Sequence, residues 1–194
     1  MRNIVLYMIT TFDGFIAGPN GEFTDYEPSA EEMAFANELF GNADALLFGR
    51  VIYEGFVGYW DVLDVNDTSL PAYDREFARM FREKARVVFS RTLETVPADT
   101  IVVNENRVAD VLTLKAQHGG YLLLLCGPDL LATLIQDGLV DECQILVTPM
   151  VLGQGLALFG NLQGKLGFNL LTTQIFESGS VLHHFQLNKH NGEL

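Results

Sequence analysis

Short runs of consecutive apolar residues, each followed by a polar or glycine corner, are the feature that most limits the possible folds. Residues 4–9 (IVLYMI), 43–48 (ADALLF) and 121–125 (YLLLL) carry almost no polar side chain. A strand with one wet face alternates apolar and polar residues, whereas unbroken apolar runs are typical of strands buried on both faces. Such strands need helices on both sides of the sheet, so the runs predict an α/β protein.

Helical patterns separate the predicted strands. Ser29 and Glu32 have the spacing of a capping box, which predicts a helix that begins there and ends before Gly41. Glycines at 55 and 58 make a long regular helix unfavourable in segment 51–62, so a short helix and a loop are expected there. Three further helices are predicted over residues 71–84, from the N-cap Asn106 to about 118, and 129–136.

The C-terminal part has a strand pattern of its own. Residues 168–176 and 180–187 have the pattern of two strands joined by Glu177-Ser178-Gly179, which predicts an antiparallel hairpin. Strands alternate with helices through most of the remaining chain. The sequence therefore predicts a three-layer αβα fold, with a mixed but mostly parallel sheet, as a single domain over residues 1–194.

The composition limits the possible partners. Hydrophobic residues make up 48% of the chain and charged residues 19%, which leaves apolar surface for a partner subunit and suggests a homo-oligomer. Twelve Lys and Arg against 25 Asp and Glu give a net charge of −13. This charge opposes broad contact with nucleic acid or an anionic membrane. A small anion would need a local group of arginines or backbone N–H groups.

Metal and membrane functions find no support in the sequence. Cys126 and Cys143 are the only cysteines, and neither has a metal-ligand neighbour, so we interpret them as buried thiols and predict no metal site. The run at 4–9 is too short for a signal peptide, and no stretch is long enough to cross a bilayer. We therefore expect a cytoplasmic protein.

Candidate ligand-binding residues follow the predicted strands, because ligands of open α/β sheets collect at the carboxyl ends of the strands. The four corners are Thr10-Thr11 with Asp13-Gly14, Gly49-Arg50, Ser90-Arg91, and Gly127-Pro128. Arg50, Ser90 and Arg91 could together bind a phosphate monoester, such as the 2′-phosphate of an adenosine ribose. Each arginine alone is equally consistent with a solvated surface charge.

The corner at Gly127 has a different character. Glycine lets a ligand approach the backbone, and Pro128 suits the first turn of a helix. The free N–H groups of that turn would suit a diphosphate, although the carboxylate of Asp129 would compete for them. The alternative is a tight turn without a ligand.

Six segments in a fixed order match the motifs of a known family. They are TTFDGFIAG, ALLFGRVIYE, VVFSRTLE, LLCGPDLLATLIQDGLVDE, VTPMVLGQGLALF and FESGSVLHHF. Over nearly its whole length the chain resembles the reductase domain of bacterial riboflavin biosynthesis, within the dihydrofolate-reductase-like superfamily. The resemblance implies an NADPH-dependent reductase of a small pyrimidine- or pteridine-like heterocycle, similar to 5-amino-6-(5-phosphoribosylamino)uracil reductase.

The resemblance also implies which residues hold NADPH. The loop 10–17 would cover the nicotinamide and the substrate, Gly49-Arg50 and Ser90-Arg91 would hold the adenosine side, and the junction from Gly127 to Leu131 would take the diphosphate. The resemblance also implies a homodimer. The predicted cofactor-binding residues are Thr10, Ile16, Ala17, Gly49, Arg50, Val51, Ser90, Arg91, Cys126, Gly127, Pro128, Asp129 and Leu130.

Hydride transfer also needs a proton for the neighbouring nitrogen or oxygen. We predict Asp13 as the acidic group nearest the transfer, with Asp25, Glu31 and Glu32 as alternatives; a turn residue ahead of Gly14 is the simpler interpretation of Asp13. The predicted substrate-binding residues are Phe12, Asp25, Tyr26 and Trp60. For the aromatic ones, ordinary packing is the alternative.

Two residues of the chain depart from the family's pattern, and they leave alternatives open for its substrate and activity. Leu125 stands where the riboflavin enzymes place a substrate-contacting Glu, and Cys126 stands where many superfamily members carry a second Gly. The chain also lacks the HxE and PCxxC signature of the deaminase half, so we expect a stand-alone reductase with a different or broader substrate. The alternatives are a non-catalytic nucleotide-binding protein and a dihydrofolate-reductase-like enzyme acting on a pterin.

Overall fold

The structure is a computed structural model that describes residues 1–22, 24–98, 100–104 and 107–188. The strands are β1 (Asn3–Thr11), β2 (Phe15–Ala17), β3 (Ala45–Gly49), β4 (Ala85–Phe89), β5 (Thr100–Val103), β6 (Tyr121–Leu125), β7 (Glu142–Thr148), β8 (Leu156–Ala157), β9 (Phe168–Ile175) and β10 (Val181–Leu187). The helices are α1 (Ala30–Asn42), α2 (Arg50–Phe56), α3 (Ala72–Glu83), α4 (Arg107–Ala116) and α5 (Pro128–Gln136). The predicted N-cap Asn106 lies outside the described residues.

The chain divides into two compact units. The first unit consists of residues 1–2 and 27–126, and its strands run in the order β5-β4-β3-β6, all parallel. The second unit consists of residues 3–26 and 127–194, and its main strands run in the order β1-β7-β10-β9. There β1 and β7 are parallel, whereas β10 is antiparallel to both neighbours. The predicted mostly parallel sheet and C-terminal hairpin are confirmed.

The capping box at the start of α1 is also confirmed. The backbone N–H of Glu32 donates to the Ser29 hydroxyl at 3.3 Å, and the Ser29 N–H donates to the Glu32 carboxylate at 2.6 Å. The predicted end of this helix is wrong, because α1 continues through Gly41 to Asn42. The residue after it, Ala43, donates its N–H to the Phe40 carbonyl and closes the helix without a glycine cap.

Segment 51–62 is more helical than predicted. Helix α2 runs directly into a π-helical turn at Val57–Asp61, so no loop follows Phe56. Packing explains the difference: the half-buried Phe56 ring lies 5.5 Å from the buried Phe48 ring and 5.8 Å from the buried Phe81 ring. These ring contacts offset the cost of about 1 kcal/mol for each glycine within the helix.

Arginines on one side of α3 hold the segment that follows α2. Arg75 donates to the Asp67 carbonyl, Arg79 to the Val65 carbonyl, and Arg82 to the carbonyls of Trp60 and Leu63, at 2.5–3.0 Å. Arg86, in β4, forms a 2.8 Å ion pair with Asp61. These four arginines are therefore engaged in fixing the fold of the first unit. Arg50 and Arg91 are not among them.

The sequence did not predict the small sheet of the second unit. Segment 149–164 has the glycine-rich composition typical of a loop, yet Leu156 and Ala157 form β8 and pair antiparallel with β2. Gly155 makes this approach possible, since a Cβ there would lie 2.2 Å from the Ala17 carbonyl oxygen. Its φ of +159° is also one that other residues rarely adopt.

Candidate functional site

Asp13 lies in the turn after β1, where Thr11 fixes the start of the loop. The Thr11 hydroxyl donates to the Asp13 carboxylate at 2.6 Å and accepts the Phe15 N–H at 3.1 Å. The Gly14 N–H donates to the Thr11 carbonyl, and φ of Gly14 is +86°, which favours glycine. The local sequence T-x-D-G therefore forms a tight turn with the Asp13 side chain at its outer side.

The Asp13 carboxylate also contacts the glycine-rich segment far away in sequence. Its Oδ1 accepts the Leu152 N–H at 3.1 Å, and its Oδ2 accepts the Gly153 N–H at 2.7 Å. Because the carboxylate is a strong acceptor, these bonds fasten the VLGQG segment to the turn after β1. Nothing in the sequence pattern connects the two motifs.

The protonation state of Asp13 follows from these bonds. The Thr11 hydroxyl, as the largest cause, and the amides of Gly153 and Leu152 together lower the pKa of Asp13 from 3.8 to about 2, against a smaller opposing effect of desolvation. All these donors favour the charged form. Asp13 is thus ionised at neutral pH and carries no proton to donate. The sequence had predicted it as the acidic group nearest the hydride transfer.

The corner at Gly127 does not require glycine for the fold. Gly127 has φ −75° and ψ 174°, which any residue can adopt, and a Cβ there would meet no atom within 4 Å. Pro128 is the first residue of α5, as predicted, and the first-turn N–H groups of a helix have no partner within it. The space directly against the Gly127 Cα is therefore open.

Asp129 lies in the first turn of α5 but does not cap that helix. Its Oδ1 accepts the Asn161 side-chain amide at 2.5 Å, and α5 has no side-chain cap at its N-terminus. The expected competition between Asp129 and an anion for the first-turn N–H groups is therefore reduced by Asn161. Nothing in the sequence had pointed to Asn161.

The other predicted residues of the second unit differ in exposure. The Phe12 side chain is 75% exposed, Asp25 is exposed and Ile16 is half-buried. Thr10 and Ala17 are buried. The Tyr26 hydroxyl shares a 2.8 Å hydrogen bond with Ser180, and Leu130 is half-buried in α5.

The first unit places two predicted arginines at strand ends. Gly49 ends β3, and Arg50 begins α2 with a 2.7 Å ion pair to Glu54, one helical turn away. Such an exposed pair contributes only about 0.3 kcal/mol, so a phosphate could compete for Arg50. Val51, next to it, is 63% exposed.

Ser90 and Arg91 follow β4 in the same unit. Ser90 is buried, and its Oγ accepts the N–H groups of Thr92 and Leu93 at 3.2 and 3.0 Å, which leaves its hydroxyl proton to donate. Arg91 is exposed and has no hydrogen-bond or ion-pair partner among the described residues. The turn formed around Ser90 thus presents a guanidinium that no described residue pairs with.

Three remaining residues of the first unit are mainly structural in their contacts. The side chains of Leu125 and Cys126 are buried, the latter completely. Trp60 packs its ring 4.5 Å from Phe77, and Arg82 binds its carbonyl. Cys143, in the second unit, is also buried, which raises the pKa of its thiol to about 12 and makes it unreactive.

The described part of the chain contains neither a metal-binding cluster nor a membrane-spanning helix. No group of three or more His, Cys, Asp or Glu residues there could hold a metal ion. No described helix combines the length and the apolar character required to cross a bilayer.

Comparisons with known proteins place these features in a family. Residues 2–182 match the sequence pattern of the RibD C-terminal domain. The chain belongs to the RibD C-terminal domain family. Protein YyaP of Bacillus subtilis (strain 168) is 33% identical over 180 residues, which cover 93% of this chain and 92% of YyaP.

Solved structures confirm the fold of this RibD C-terminal domain. A Shewanella sp. PV-4 protein whose name assigns it to riboflavin biosynthesis aligns with a TM-score of 0.70 at 21% identity, covering 97% of this chain and 100% of its own. Dihydrofolate reductase from Enterococcus faecalis, complexed with NADP(H), aligns at 0.63 and 13% identity, covering 96% and 97%. The predicted dihydrofolate-reductase-like α/β fold is thus confirmed, and the family membership supports a reductase-type function.

Proposed function

We propose that this chain is an NADPH-dependent reductase that transfers a hydride to a small heterocyclic substrate. The observation that carries the proposal is Gly127, a glycine that the backbone conformation and the packing do not require. Together with membership of the RibD C-terminal domain family, this open corner supports binding of a diphosphate at the start of α5.

Arg50, Ser90 and Arg91 are proposed to bind the adenosine end of the cofactor. Arg91 has no partner among the described residues, and Arg50 has only an exposed ion pair. Four other arginines bind backbone carbonyls or the Asp61 carboxylate in segment 60–67, so their guanidinium groups are already paired. Two guanidinium groups and a hydroxyl match the dianionic 2′-phosphate that distinguishes NADPH from NADH.

The loop 10–17 is proposed to cover the nicotinamide and the substrate, with Thr10, Ile16 and Ala17 on the cofactor. NADPH would supply the hydride, and the substrate nitrogen or oxygen next to the reduced carbon would take up one proton. The exposed ring of Phe12 suits stacking on a planar heterocycle. Asp25, Tyr26 and Trp60 complete the proposed substrate-binding residues.

The buried Leu125 separates this chain from reductases of the ribosylaminopyrimidine. A buried leucine offers no acceptor for a polar substrate, so we propose a different pyrimidine- or pteridine-like compound, similar in ring chemistry to 5-amino-6-(5-phosphoribosylamino)uracil. A homodimer located in the cytoplasm remains part of this proposal. Loss of nicotinamide absorbance with such compounds would demonstrate turnover; NADPH binding without any turnover would instead favour the non-catalytic nucleotide-binding alternative.

Replacing Arg91 by Ala tests the choice of cofactor. We expect NADPH affinity to fall about 10–100-fold, because a charge-assisted hydrogen bond contributes about 1.5–3 kcal/mol, while NADH affinity changes little. Lys165→Ala removes an equally exposed cation without a proposed contact and serves as the matched control. Equal losses for both nucleotides, or equal losses in both variants, would refute recognition of the 2′-phosphate by Arg91.

A further inference from the structure

We propose that Asp13 is a positioning residue, whose carboxylate fixes the backbone of residues 152–153 and so holds the two loops near the nicotinamide in one arrangement. This inference rests on the proposed function and assigns Asp13 a part in it. The proton that accompanies the hydride then reaches the substrate from water and not from Asp13.

Both oxygens of the carboxylate are engaged by neighbouring groups. Oδ1 accepts from the Thr11 hydroxyl and the Leu152 N–H, and Oδ2 accepts from the Gly153 N–H. Thr11 is nearly completely buried, so its side chain holds the carboxylate in a fixed direction. One side chain thereby joins two segments that are about 140 positions apart in sequence.

The remaining contacts between the two loops are too few to fix them alone. The Phe12 N–H donates to the Met150 carbonyl at 2.7 Å, and the Leu158 N–H donates to the Gly14 carbonyl at 3.0 Å. Strands β2 and β8 contain only three and two residues. Sheets of this size are not stable by themselves in water, so the charged Asp13 carboxylate adds a constraint that the backbone pairing lacks.

The charge state of Asp13 agrees with a fixed acceptor. Its pKa is lowered to about 2, with the Thr11 hydrogen bond as the largest cause. Because the folded-state pKa lies below the ordinary value of 3.8, the stabilisation by Asp13 is complete above that value and is lost as the pH falls toward 2. Between about pH 5 and pH 8 the Asp13 carboxylate therefore stays charged and does not titrate.

The kinetic test compares Asp13→Asn with the wild type. An Asn side chain cannot accept from both backbone amides, so we expect kcat to fall about 10–100-fold while the NADPH Kd stays within about threefold. A positioning role predicts that the pH–rate profile keeps its shape between about pH 5 and pH 8. A general acid would lose one limb of that profile in the variant.

Asp67→Asn is the matched control, because Asp67 accepts from the N–H and hydroxyl of Ser69 in another loop. It should change neither kcat nor Kd. Thr11→Val, as a second variant, removes the hydroxyl that orients Asp13 and should reproduce the same loss of kcat. In a Thr11→Val/Asp13→Asn double variant the two losses should not add, since both act through one carboxylate.

Hydrogen exchange gives a readout that does not depend on turnover. Amides of residues 150–158 should exchange about tenfold faster or more in Asp13→Asn, and at the wild-type rate in Asp67→Asn. Unchanged exchange, an unchanged kcat or a lost pH limb would overturn the positioning role. If the wild type fails to bind NADPH, the proposed function is refuted, and the kinetic role of Asp13 with it. If the wild type binds NADPH but the Asp13→Asn variant behaves like the wild type, only the positioning role of Asp13 is refuted.

Discussion

Gly155→Ala is expected to lower the free energy of unfolding by about 2–6 kcal/mol. Two costs add: a φ of +159° is almost confined to glycine, at about 1–3 kcal/mol, and a methyl group 2.2 Å from the Ala17 carbonyl oxygen forces the backbone to shift, at about 1–3 kcal/mol. Urea denaturation of the purified variant measures the loss. The pairing of β2 with β8 is the feature that the methyl group would disrupt.

Gly164→Ala is the matched control for this experiment. Gly164 also has a positive φ, of +79°, but a Cβ there would meet no atom within 4 Å. Only the conformational cost of about 1–2 kcal/mol should therefore appear. Equal losses of stability in the two variants would show that Gly155 is not needed for the close approach of its backbone to Ala17.

Gly127→Ala should have the largest effect on ligand binding with almost none on the fold. The residue has an ordinary backbone conformation and open space around its Cβ position, so stability should change by less than about 1 kcal/mol. A diphosphate placed against that backbone would meet the new methyl group. We expect NADPH affinity to fall about 30-fold or more, measured by quenching of intrinsic fluorescence or by calorimetry.

Gly41→Ala provides the comparison in the first unit, because Gly41 lies within α1 and its Cβ position is also open. It should raise stability by up to about 1 kcal/mol and leave NADPH binding unchanged. Unchanged NADPH affinity in Gly127→Ala would show that the corner is only a turn.

Sequence patterns predicted the regular elements well because their signals are local. The capping box at Ser29 and Glu32, the apolar run of β6 and the proline at the start of α5 each depend on neighbouring residues alone. The end of α1 and the continuation of α2 into a π-helical turn were missed. There, packing of Phe56 among distant phenylalanines outweighed the glycines that the sequence presented as breakers.

The side-chain chemistry of the site was less predictable. The bond from Asn161 to Asp129 and the bonds from Leu152 and Gly153 to Asp13 join segments that only the folded chain brings into contact. Asp13 shows the consequence: its motif indicated an acidic residue near the reaction, but its pKa depends on donors from residues 152–153 and from Thr11. The glycines of VLGQG were the available signal, since closely spaced glycines mark approach of another backbone.

We propose that this RibD C-terminal domain binds a pyridine nucleotide, with Gly127, Arg50 and Arg91 among the proposed binding residues. Calorimetric titration of the wild-type chain with NADPH and NADH tests it most directly. The account predicts saturable binding of NADPH at one site per chain and clearly weaker binding of NADH. Titrations without heat change for both nucleotides, with no thermal stabilisation by either, would contradict it.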